Sequence, residues 1–151
     1  MRPTFFIILL LLPALANAQQ QLPAPATPQQ VPRYCQQREG QPTALLVMAR
    51  DENKIPREQF IGKVEAGNLD AAGKQLMIER VVDVYDNAQL NADTLWVFRA
   101  NRCIEEFSRK GFVKYKPEMG PALLQCQKEH NGTMRTLAEC VAVASDANLS
   151  Q

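Results

Sequence analysis

Few side chains in this 151-residue chain are equipped for chemistry: one histidine, four cysteines and scattered carboxylates. Cys126, His130 and Met134 fall at i, i+4 and i+8, which on an unbroken helix would line up soft donors suited to Cu(I). Asn131-Gly132 interrupts that run, because Asn-Gly between two helical patterns is a helix stop. His130 also lacks a Gly-x-Ser-x-Gly or comparable setting for a nucleophile and its base. Its place just before the stop suits a polar or cationic side chain against exposed helix carbonyls. Glu79, Asp83 and Asp86 share one helix face and in principle offer acid–base groups or Ca²⁺ ligands. They stand opposite an apolar stripe, however, which predicts a solvated face. Glu105 and Glu106 are adjacent and diverge by about 100° around a helix. The sequence therefore predicts no catalytic residue, no metal site and no cofactor.

How the cysteines are read depends on residues 1–18. Arg2, the apolar run Phe5–Leu12 and Ala16-Asn17-Ala18 describe a cleavable export signal of bacterial appearance. The run is too short to anchor the chain across a bilayer. A mature chain starting at Gln19 and working in the periplasm, or secreted, would meet an oxidising environment in which cysteines pair. Two Asn-x-Ser/Thr sequons, at Asn131 and Asn148, would matter only in a eukaryotic secretory route.

Four cysteines allow three pairings. Cys126 lies seven residues before Thr133 and Cys140 seven after it, so an antiparallel helical hairpin about that turn brings the two sulfurs level. Cys126–Cys140 then leaves Cys35–Cys103. In the chain-entropy model the long loop closed by the second bridge is worth about 4 kcal/mol and the hairpin loop about 3. With no Cys-x-x-Cys motif, both bridges read as structural.

The elements that must position these residues are helices. Gln19–Arg33, rich in Gln, Pro and Ala, reads as an extended tether. The globular pattern begins at Tyr34. Pro42 is expected to open a helix, with Leu45, Met48 and Ala49 sharing a face. Pro56 opens another, with Phe60, Ile61 and Val64 inward and Gly67-Asn68 as its stop. Asp70 is an N-cap for the strongest stripe: Met77, Ile78, Val81, Val84, Tyr85 and Ala88. Asn91 caps a helix carrying Trp96, Ala100, Cys103 and Phe107 on one face, ending at Gly111. A connection, Phe112–Pro117, leads to the hairpin helices Pro121–His130 and Thr133–Ala144. The expectation is an all-α domain over 34–146, with five or six short helices and a frayed tail at 147–151.

Charge narrows the partners. The chain has 17 Lys+Arg and 16 Asp+Glu; losing Arg2 with the signal leaves 16 of each. That balance gives no reason to expect nucleic acid or an anionic membrane as the main partner. Against it stands a local excess of base: Arg99, Arg102, Arg109, Lys110, Lys114 and Lys116, interleaved with Phe112 and Tyr115. Arginine and aromatic residues are enriched at interface cores, which makes this stretch the candidate partner surface. The expected function is a non-enzymatic periplasmic interaction module, such as an inhibitor, an immunity-type protein or an envelope-complex accessory, with another envelope or secreted protein as partner. A stress chaperone and a small cell-wall enzyme are the alternatives.

Overall fold

The structure is a computed structural model that describes residues 27–108, 119–130 and 132–147. The expected signal, most of the tether, the stretch 109–118, both sequon asparagines and residues 148–151 lie outside these residues.

Six α-helices follow a 3-10 turn at Pro28–Gln30: α1 Val31–Asp51, α2 Arg57–Ala66, α3 Ala71–Asp86, α4 Ala92–Ser108, α5 Met119–Glu129 and α6 Met134–Ala147. Among the described residues there is no strand. The all-α expectation holds. α1 and α4 form the most extensive interface, α2 and α3 pack as one pair and α5 and α6 as another, and α6 docks the second pair onto α4.

Several boundaries differ from the sequence reading, each for a physical reason. The tether's last residues are not extended: Pro28 starts the 3-10 turn and Pro32 sits in the first turn of α1. Proline is tolerated there because the first helical N–H groups have no intrahelical acceptor. Pro42 does not open a helix; it lies inside the 21-residue α1. Its missing N–H leaves the carbonyl of Arg38 without its i+4 donor, and Arg80 Nη2 donates to that oxygen at 3.0 Å. The helix is uninterrupted because a neighbouring side chain supplies the absent bond. Consequently Leu45 and Met48 are only half-buried, while Leu46, Val47 and Ala49 face the core.

α3 ends at Asp86, and Asn87 leaves helical geometry with φ −118° and ψ 50°. Ala88 is therefore exposed rather than part of the stripe. Arg50 wraps this end, donating from Nη1 to Val84 O and Asn87 O and from Nη2 to Leu90 O at 2.7, 3.2 and 3.1 Å. On α4 the buried face is wider than the four residues expected and includes Leu95, Val97 and Phe98. Phe107 is 41% exposed, and its ring meets Tyr34 edge-on at 5.6 Å. α5 begins two residues before Pro121, and α6 continues to Ala147, beyond the predicted end.

Other local expectations hold. Asp70 accepts from the Gly73 N–H at 2.7 Å, and Asn91 accepts from the Thr94 N–H at 2.9 Å, so both are N-caps. Phe60 and Val64 are buried on α2. Gly132 has φ +90°, the left-handed conformation a helix stop requires.

Candidate functional site

The charged residues follow a different plan from the one their spacing suggested. Glu39 on α1 is fully buried. Its Oε2 accepts from Arg80 Nε at 2.8 Å and from Arg99 Nε at 2.9 Å. Its Oε1 accepts from Arg80 Nη2 at 3.1 Å and from Arg38 Nε at 2.8 Å. Arg99 also donates through Nη1 to Asp83. Arg102 donates to Asp83 at 3.0 Å and to Glu79 at 2.8 Å. One connected cluster thus ties α1, α3 and α4 together.

This overturns two readings. Asp83 is not on a solvated face; it is buried within the cluster, and Glu79 is half-covered at its edge. Only Asp86, exposed and paired with Arg57 at 2.9 Å, behaves as expected. Arg99 and Arg102 are not surface residues either: both are buried and ion-paired inward. An isolated arginine is too costly to bury, so the carboxylates of α1 and α3 draw these two side chains into the interior. The other proposed contact residues, Arg109, Lys110, Phe112, Lys114, Tyr115 and Lys116, lie outside the described residues.

The electrostatics fit a framework. Burial alone would push the Glu39 carboxyl up; the fields of Arg99 and Arg80 outweigh it and hold the carboxyl well below its ordinary 4.5. A carboxylate so firmly ionised and fully coordinated cannot exchange protons near neutrality. Asp83 is pushed up from 3.8 by burial, which Arg99 and Arg102 only partly offset.

The cysteines pair as the hairpin symmetry requires. Cys35–Cys103 and Cys126–Cys140 have Cα separations of 5.6 and 5.7 Å. The first bridge joins α1 to α4 with both residues fully buried. The second joins α5 to α6 and occupies the sulfur of Cys126 that a copper site would need. Met134 stands across the turn at the start of α6, partly exposed. Among the described residues no cluster of three His, Cys, Asp or Glu is arranged for a metal. Two disulfides are the mark of an oxidising, extracytoplasmic environment. Among the described residues no helix is long and apolar enough to cross a membrane.

Sequence reasoning missed one surface. The outer face of the α5–α6 hairpin holds an open groove of about 530 Å³ running past the Cys126–Cys140 bridge. Ala122, Val143 and Ala144 line one end, His130 and Thr136 the other. Val143 is 69% exposed, a large departure for an apolar residue on a helix whose inner face, Leu137 and Val141, is buried. A signal was available: α6 carries apolar residues at 141, 143 and 144, a band too wide for a single buried stripe.

The described residues form an all-α domain held by two disulfides and one buried ion cluster, with an apolar groove on the α5–α6 hairpin. No family model, curated protein or solved structure matches the chain.

Proposed function

We propose that this chain is a non-enzymatic helical interaction module of the periplasm or secreted space, and that it meets another envelope or secreted protein through the α5–α6 hairpin. The observation that carries this reading is the division of labour among its side chains. Glu39, Asp83, Arg80, Arg99 and Arg102, the groups best suited to acid–base or anion chemistry, are directed inward at one another. The hairpin instead exposes Val143 at a groove also lined by the half-buried Ala122 and Ala144, beside a covalent staple. A two-helix groove with apolar walls suits the apolar stripe of an amphipathic helix, which buries its i, i+3/i+4 and i+7 side chains there. An inhibitor, an immunity-type protein or a complex accessory would all use such a rigid, pre-ordered face, since little entropy is lost on binding.

The test is co-purification from the native envelope with the tagged mature protein, its Val143→Asp variant and a Gln75→Asp control. Val143 and Gln75 are both exposed, so neither change removes a buried side chain. A partner retained by the wild type and control and lost with Val143→Asp supports the reading. Partners retained equally by all three contradict it.

A further inference from the structure

The two disulfides are not equivalent, and we propose that Cys126–Cys140 is an exchangeable bridge, a site of thiol–disulfide exchange for a dithiol reductant that approaches through the hairpin groove. Cys35–Cys103 has no exposed atom surface on either residue. It lies between the two most extensively packed helices, so a reductant reaches it only when α1 and α4 separate. Cys126–Cys140 lies in the wall of an open groove, and Cys140 is half-buried rather than enclosed. Reaction at a disulfide requires a thiolate to reach one sulfur, so access decides which bridge reacts in the folded state.

The groove also distinguishes the two sulfurs. Cys126 is 3% exposed and Cys140 more open, so the incoming thiolate attacks Cys140 Sγ. The Cys126–Cys140 bond breaks, and its electron pair leaves on Cys126 Sγ. The departing Cys126 thiolate takes its proton from solvent in the open groove. The second thiol of the reductant then displaces Cys140 Sγ from the mixed disulfide. Two electrons pass to the protein, which gains two cysteine thiols, and the reductant leaves as its own disulfide. The bridge closes a loop with a sequence separation of 14, while the other spans 68. Opening it therefore frees the hairpin from its internal staple and leaves the α1–α4 bridge in place. This inference does not depend on what the hairpin binds.

The experiment uses the oxidised mature protein without denaturant and dithiothreitol as the probe. Free thiols are trapped by alkylation over time and located by peptide mapping. Cys126 and Cys140 should be alkylated at least tenfold faster than Cys35 and Cys103, at a rate proportional to reductant concentration. Early acid-quenched samples should carry the mixed disulfide on Cys140. Equal rates at both bridges, prior reduction of Cys35–Cys103, or a rate independent of reductant concentration would each overturn the proposal, because each means that unfolding and not groove access governs reduction.

Discussion

Replacing Glu39 by Gln keeps the shape of the side chain and removes the one charge on which three arginines converge. The consequences differ among them. Arg99 keeps Asp83, and Arg38 keeps Glu106 at 3.1 Å. Arg80, fully buried, loses both its carboxylate contacts and retains the Arg38 carbonyl. Stranding one buried charge in this way costs about 3–5 kcal/mol. At roughly 4 °C per kcal/mol for a domain of this size, the melting temperature should fall by about 12–20 °C. Circular dichroism melts at neutral pH with both bridges intact provide the measurement, and adding Arg80→Met in a double-mutant cycle isolates the coupling. The double variant should be more stable than the sum of the single losses predicts. A Glu39→Gln loss below about 1 kcal/mol, or strict additivity with Arg80→Met, would refute the view that this pair secures the helix frame.

The same group sets an acid limit. Because the folded-state value of Glu39 lies below its ordinary 4.5, its contribution is present above that value and is lost as pH falls further. The stability gap between wild type and Glu39→Gln should therefore narrow as pH drops from about 5 toward 2, as read from the melts. Asp83 has the opposite sign: a raised folded-state value favours the fold at low pH and weakens it as pH rises through that value, which flattens the overall acid slope.

Further outcomes follow from local geometry. Asp70→Ala removes the cap on the Gly73 N–H and should lower stability by about 1 kcal/mol in denaturant titration. A Cβ on Gly40 would stand 3.2 Å from Trp96 Nε1, whose N–H donates to Gln36 O at 3.0 Å; Gly40→Val should cost about 1–3 kcal/mol by overpacking and shift the fluorescence of the single tryptophan. Replacing Cys126 and Cys140 together by Ser should cost about 3 kcal/mol, with hydrogen exchange rising in α5 and α6 and not at the α1–α4 interface.

The helix count, both N-caps and the Cys126–Cys140 bridge were legible in the sequence because each rests on local spacing: Asp70 and Asn91 before apolar runs, and two cysteines equidistant from a turn; Cys35–Cys103, 68 residues apart, followed only by elimination. The ion cluster was not legible. Hydrophobic periodicity assigns charged residues to the outside by default, yet Glu39, Arg80 and Arg99 each sit on an apolar face, between Cys35 and Leu46, Met77 and Val84, and Leu95 and Cys103. Charges at core register are the signature of such a cluster, but which arginine meets which carboxylate depends on how helices distant in sequence pack. Pro42 misled for a related reason. A proline inside a helix is tolerated when another element supplies a donor to the freed carbonyl, and that donor is Arg80, 42 residues away from Arg38. The hairpin groove was hidden because sequence spacing shows that α5 and α6 pair, not which of their faces is left uncovered.

If, as proposed, the chemistry-capable charges build the frame and the hairpin meets a partner, contacts to another protein should concentrate on α5 and α6. Photo-crosslinking in cells that produce the protein, with a photoreactive residue at Val143 or, on the outer side of α3, at Gln75, distinguishes the two faces. A discrete protein adduct from position 143 and none from position 75 is the predicted result. Adducts from position 75 alone, or from neither position, would contradict it.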